Sequence, residues 1–287
     1  MNGVVYDASF PLEGKERLVV ANPAPAGFVG VLGATVIGAV SDSSVFIDGG
    51  IVDIPDMYVS DHEVTQAEYQ AVIGTNPSNF NGSSGKEPAD GEIQENRPVE
   101  KVNWGDALVY CNRKSVAAGL TPCYAVNGNT DTAQWGFTPG SSSNISGTIT
   151  CDFNANGYRL PTEEEWEYIA RGGNNGIPAT QTKYSGTDSE SELTNYAWYK
   201  ENSGSKTHEV KKKSPNSLNI YDLDGNVWEW CWNSYVIYVE DEPKIQRGRR
   251  GGFYYQENSF CTVSYSHSEY PSSRKKEGGF RVVRTVQ

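Results

Sequence analysis

Apolar and polar positions along the chain change period several times, and each change predicts a different kind of element. The first fifty residues break short apolar runs, Leu18–Ala21, Phe28–Leu32 and Ala34–Val40, with glycine and proline. That punctuation predicts short strands in an irregular β framework and leaves no room for a long helix. Helical spacing begins at Thr65-Gln66-Ala67-Glu68, a hydroxyl and a carboxylate three residues apart, as in a capping box. Tyr69, Val72 and Ile73 then share one face, and Gly74 supplies the stop. Asn103 heads a second helical pattern, Trp104, Ala107, Leu108 and Cys111, that runs out by Gly119. A third opens with the capping box Thr162-Glu163-Glu164-Glu165, turns Trp166, Ile169 and Ala170 inward and ends at Gly172. Its carboxylates sit at the positive end of the helix dipole.

Between these helices the pattern is weaker. Residues 120–156 are rich in Gly, Ser, Thr and Asn, contain Trp135 and Phe137, and read as a long surface insertion with few apolar anchors. A polar stretch (Gly172–Ser191), a lysine run (Lys211–Lys213), a tryptophan-rich segment (Val227–Trp232) and short C-terminal strands follow. Trp228 and Trp230 alternate on a strand-like segment and read as core, each with an N–H that needs a partner. No fixed-period repeat is present, which excludes solenoids and propellers. The expected organisation is a β extension over residues 1–45 packed on a domain over 46–287. No run reaches the length of a membrane span, and no basic, apolar and small-residue signal segment opens the chain.

At 287 residues and 31.5 kDa the chain is long enough for a sizeable core, and 37% hydrophobic with 21% charged residues is a globular composition. The net charge of −12 is uneven: nine Lys and Arg against three Asp and Glu from Lys244 onward give +6, leaving −18 before it. An acidic body repels a polyphosphate, so no nucleic-acid partner is expected. Arg281 and Arg284 read as structural partners of acidic residues in the body. The five cysteines, Cys111, Cys123, Cys151, Cys231 and Cys261, have no CxxC spacing. They read as buried thiols, with a Cys123–Cys151 bridge as the alternative. His62, His208 and His267 are scattered and match no zinc-hydrolase spacing.

Several segments together resemble one family. They are Asp61 to Tyr69 (DHEVTQAEY), Arg97-Pro98-Val99-Glu100 with Val102-Asn103-Trp104, and Gly157 to Glu167 (GYRLPTEEEWE). Asp224 to Trp230 (DGNVWEW), Arg250-Gly251-Gly252 and Gly279-Phe280-Arg281 follow in order. The resemblance is to the formylglycine-generating-enzyme, or sulfatase-modifying-factor, domain. It implies an α+β, C-type-lectin-like fold with few short helices, short twisted strands and much irregular backbone. It also implies calcium ligands at Asp222, Gly225, Val227 and Glu229, hard oxygen donors that suit the ion. Catalytic members of the family hold copper between two cysteines, soft donors that suit Cu(I). Aligned from Gly251-Gly252, those positions fall on Gln256 and Cys261, so oxidase chemistry is not expected.

Residues 253–274 hold six Ser, four Tyr and two Phe between the two glycine-framed motifs. Tyrosine gives large contact area at little rotamer cost and serine adapts its hydrogen bonds, so the mixture suits a versatile binding surface. On this fold, at this end of the chain, the segment resembles the variable region of diversity-generating-retroelement variable proteins. Their randomised asparagine codons become NNY codons, and only Gln256, Glu257 and Glu269 in the window fall outside that set. The spacings from Cys261 to Pro271 and from Pro271 to Gly279-Phe280-Arg281 fit the same frame. The resemblance marks Phe253, Tyr254, Tyr255, Phe260, Ser264, Tyr265, Ser266, His267, Ser268, Tyr270 and Ser273 as ligand-contacting. It implies a non-enzymatic, monomeric protein at the cell surface or outside the cell, binding an unknown protein or other surface ligand. No cofactor is required beyond a possible structural calcium. The alternatives are a copper oxidase acting on a protein cysteine and a calcium-dependent carbohydrate lectin, although no EPN or QPD sugar motif is present.

Overall fold

The three predicted helices form, and their caps explain where they begin. In α1 (Gln66–Ile73) the Thr65 hydroxyl accepts from the Glu68 N–H while Glu68 reaches back to the Thr65 N–H, and Gly74 closes the helix at φ 92°. In α2 (Trp104–Ala117) Asn103 and Asp106 form the same reciprocal pair, and in α3 (Glu163–Ala170) Thr162 and Glu165 do. The computed structural model describes residues 23–37, 51–173 and 182–286. The Leu18–Ala21 run and the end of Ala34–Val40 lie outside the described residues.

Most strands are short because glycine, proline and asparagine interrupt the apolar runs; β7 and β8, at 12 and 9 residues, depart from the expected short strands. They are β1 (Phe28–Val31), β2 (Ala34–Ile37), β3 (Ile51–Ile54), β4 (Met57–Ser60), β5 (Tyr124–Val126) and β6 (Ile149–Cys151). The C-terminal part adds β7 (Trp228–Val239), β8 (Glu242–Arg250), β9 (Ser266–Glu269), β10 (Gly278–Gly279) and β11 (Val283–Thr285). One sheet runs β1-β4-β11, with Val59 paired to both Val29 and Val283, so the described N-terminal strand and the last strand share a neighbour. A second sheet runs β10-β7-β8-β9, and β2 with β3 and β5 with β6 form two-stranded ribbons. This is the expected α+β architecture.

The core sits where α2 and α3 cover these sheets. Trp104, Trp166, Trp228 and Trp230 are fully buried. Trp104 Nε1 donates to the Cys231 carbonyl, Trp230 Nε1 to Val102, and Trp166 Nε1 to the Glu229 carboxylate. Residues 120–156 correct the expectation of a weakly anchored insertion. Trp135 and Phe137 are buried in the main core, and β5 and β6 pair within the segment. At Gly105 a Cβ would stand 2.9 Å from the Phe137 ring, so the helix has its glycine where that ring presses on it. All five cysteines are free thiols, and the ribbon register sets Tyr124, not Cys123, opposite Cys151.

Buried arginines neutralise the acidic body from within. Arg159 holds both oxygens of Glu165 at 2.6 and 2.7 Å, and Arg250 reaches Glu167 at 2.5 Å. Arg281 pairs with Glu229, but Arg284 departs from the expected ion pair and lies over the rings of Tyr58 and Tyr158. Buried charges of this kind persist only when paired and hydrogen-bonded.

Candidate functional site

The Gly251-Gly252 pair turns the chain out of β8 and launches the segment rich in Ser and Tyr. Both glycines have positive φ, 94° and 78°. A Cβ on Gly252 would meet the Phe260 carbonyl at 2.9 Å and the Cys261 sulfur at 3.0 Å, so the turn packs directly on the segment it launches. From there the segment is tied down mostly through its main chain. Tyr254 N–H donates to Asn226, the Ser203 hydroxyl donates to the Tyr254 carbonyl at 2.5 Å, and Lys200 N–H donates to Gln256. Arg250 donates to the carbonyls of Val263 and Ser264, and β9 pairs with β8 from Arg247 to Arg250.

Trp228 forms the floor of an aromatic group built from this segment. Tyr265, His267 and Phe253 lie 5.9, 5.5 and 6.5 Å from it, and Phe260 stacks edge-on against Tyr265 at 4.9 Å. The four rings around Trp228 are half-buried, so each keeps a face toward solvent. Arg249 lies 5.8 Å from the Trp228 ring. Burial, with the Arg249 charge second, holds the His267 imidazole below its ordinary pKa. His267 is therefore neutral at neutral pH, and its Nδ1 has no hydrogen-bond partner. Tyr255 (55% exposed), Tyr270 and Ser266 extend the surface outward.

Not every marked position belongs to that surface. Tyr254 corrects the expectation: it is 1% exposed, with its ring edge-on to Phe80 and Phe253 at 5.3 Å each. A sequence window cannot distinguish it from Tyr255, because the backbone bond to Asn226 rather than local composition turns it inward. The Ser266 hydroxyl donates to Glu163 and that of Ser268 to Gln246, so both point partly back at the body. Ser264 and Ser273 are half-buried. Trp228 and Arg249 are the contributors that sequence reasoning missed. The available signal was the strand register, which sets Arg249 beside both Trp230 and His267.

The residues assigned to calcium do not fit that ion. Glu229 accepts from Arg281 Nε and Nη2, both at 2.6 Å, and from Trp166 Nε1 at 2.7 Å. Asp222 accepts from Lys211 N–H through Oδ2, and its carbonyl accepts from Arg281. A guanidinium thus sits on the carboxylate that would hold the metal, and no His, Cys, Asp and Glu group among the described residues could hold one. Copper fits no better. Cys261 is fully buried, burial and Asp224 push its thiol well above the ordinary value, and the companion position carries the amide of Gln256.

Comparison with known proteins places this geometry. A solved structure of Treponema denticola variable protein 1 is 40% identical, with a TM-score of 0.77 over 90% of this chain and 94% of that one. A Paenibacillus barcinonensis protein named chaperone protein LppX is 34% identical over 86% of this chain and 90% of its own length. The formylglycine-generating enzyme of Streptomyces coelicolor is 33% identical over 44% of this chain, and the match spans 46% of that enzyme. The model of the sulfatase-modifying factor enzyme 1-like domain matches residues 40–286. A match over most of the chain, with both glycine-framed motifs and the tryptophan segment in place, makes the chain a member of the sulfatase-modifying factor enzyme 1-like domain family.

Proposed function

We propose that the protein is a non-enzymatic ligand-binding protein whose scaffold displays a diversified aromatic and serine-rich surface, the variable protein of a diversity-generating retroelement. One observation carries the reading. Residues 253–273 set three half-buried rings over Trp228, with Phe260 edge-on to one of them, while carbonyls and N–H groups of the segment tie it to the body. Main-chain anchoring lets side chains change without loss of the fold, as a diversified surface requires. The similarity to a solved protein named as variable supports the same reading.

Recognition then follows ordinary interface chemistry. Tyr255, Tyr265 and Phe260 supply large contact area at low entropy cost, and neutral His267 and the serine hydroxyls supply adaptable hydrogen bonds. The ligand is a protein or other surface molecule met at the cell surface or outside the cell. The acidic body disfavours nucleic acid.

The DNA beside the gene provides the test. A near-identical template repeat of the segment and a reverse-transcriptase reading frame, with differences confined to adenines of the template, are expected. A locus without either sinks the retroelement assignment. The copper-oxidase alternative is tested separately by oxygen consumption with a cysteine peptide and copper; turnover abolished by Cys261→Ala would refute the non-enzymatic reading.

A further inference from the structure

The hairpin formed by β7 and β8 extends beyond the body and carries apolar residues into solvent. Val236, Tyr238 and Ile245 are 61, 73 and 55% exposed, and Tyr235 and Val239 are also exposed. Buried aromatic side chains cover about 150–250 Å² each, and on that scale the strip shows on the order of 500 Å² per copy. Val236, Tyr238 and Ile245 share one face of the hairpin and Tyr235 and Val239 the other, so the strip lines both sides of the β7 edge. The turn at Glu240 and Asp241 has φ of 51° and 62°, the left-handed pair that fits a tight hairpin.

The two edges of the hairpin differ. On β8, Pro243 and Lys244 stand in the distal stretch, and both residue types block strand addition. On β7, residues 234–239 read SYVIYV, with no proline and no charge. β10 pairs with β7 only at Trp228 and Glu229, and Trp232 N–H bonds to Pro161. Past that point no strand among the described residues covers the outer edge of β7.

We propose that this edge pairs with the same edge of a second copy. Antiparallel edge pairing is what a two-fold axis generates. Centred on Ile237, it sets Tyr235 against Val239 and Val236 against Tyr238, apolar against apolar on both faces. Each copy covers part of its strip, Tyr235, Val236, Tyr238 and Val239 at the seam with Ile245 on β8 outside it, so the interface is of the small, weak class held mainly by main-chain pairing. The exposed acidic tip, Glu240, Asp241 and Glu242, excludes an anionic bilayer as the occupant. In the order β10-β7-β8-β9, β9 lies at the opposite edge from β7, so pairing leaves β9 free in both copies. The dimer stands on the hairpin alone. Its use, bivalent display with gain in avidity, rests on the ligand-binding reading.

Sedimentation velocity of the full chain over a concentration series, at low and high salt, tests the pairing. A dimer is expected, tighter at high salt, because each copy carries −12 and screening relieves their repulsion. Val236→Lys with Tyr238→Lys abolishes it. Val236→Thr with Tyr238→Thr, which keeps β propensity, weakens it by about tenfold or more, corresponding to roughly 1.4 kcal/mol. Tyr255→Ser leaves it intact. A monomer at every concentration in both salts overturns the proposal. So does a dimer that survives the threonine pair, or one lost with Tyr255→Ser, which would place association on the variable surface.

Discussion

Tyr254 and Tyr255 are adjacent, identical in type and opposite in environment, so their alanine variants separate packing from display in one comparison. Tyr254 is buried between Phe80 and Phe253, and its hydroxyl has no hydrogen-bond partner. Truncating a buried aromatic costs about 3–5 kcal/mol. Removing an unsatisfied buried hydroxyl returns roughly 1–3 of that, for a net loss centred on about 2 kcal/mol. Tyr255 is more than half exposed, and its truncation is expected to stay within about 0.5 kcal/mol. For a domain of this size about 1 kcal/mol moves the thermal midpoint by roughly 2–4 °C, so Tyr254→Ala should lower it by about 4–8 °C and Tyr255→Ala barely. Tyr254→Phe keeps the ring and drops the orphan hydroxyl, and should raise stability by about 1 kcal/mol. Urea denaturation followed by tryptophan fluorescence reads all three. Equal losses for the two alanine variants, or a larger one at Tyr255, would refute the division between core and displayed surface.

Three further outcomes follow from the buried charges. Arg281→Met leaves Glu229 buried without its cation and should cost about 3–5 kcal/mol, whereas Arg281→Met with Glu229→Leu recovers much of it; a denaturation cycle measures both. Glu100 is raised to about 8 and Asp222 to about 6 by burial, and Glu63 is also raised. Each favours the folded state while protonated, so stability is lost as pH climbs from about 4 through 6 and 8. His62, raised to about 9 by its hydrogen bonds to Asp61 and Glu68 against the opposing effect of burial, adds a loss between 6.5 and 9. Glu68, lowered to about 2 by His62 against its own burial, loses its contribution only below 4.5. The thermal midpoint should therefore peak near pH 5, and Glu100→Gln should flatten its alkaline slope; a peak above pH 7 contradicts the burial of these groups. Finally, a calcium chelator should leave the midpoint unchanged, since Arg281 already neutralises Glu229. Calcium stabilisation that is lost in Glu229→Gln would restore the ion to that site.

The helices were legible because their signals are local: three capping boxes and three glycine stops lie within a few residues of the turns they govern. The fold itself was legible through ordered motifs rather than through periodicity. β5 and β6 were not, because each is three residues long and exists only by pairing across a separation of some twenty-five residues. Arg281 could be assigned to the acidic body from charge alone, yet its particular partner could not, and that partner decides the calcium question. Arg284 shows the limit of charge counting, since its cation lies on two tyrosine rings. The composition of residues 253–274 singles out the segment that packs around Trp228. Which side chains turn outward depends on bonds to Asn226, Ser203 and Arg250, far away in sequence.

Arg250 links these levels. It is fully buried, it takes Glu167 of α3 as its ion partner, and its Nη1 and Nη2 donate to the carbonyls of Ser264 and Val263. A carbonyl is present whatever side chain a codon supplies. The same holds for the carbonyls of Tyr254 and Gln256, which accept from Ser203 and Lys200. These main-chain bonds do not depend on side-chain identity, whereas the Ser266 and Ser268 hydroxyls and the buried Cys261 and Val263 anchor the segment through their side chains. Tyr254 belongs with these side-chain anchors, since its ring is buried against Phe80 and Phe253.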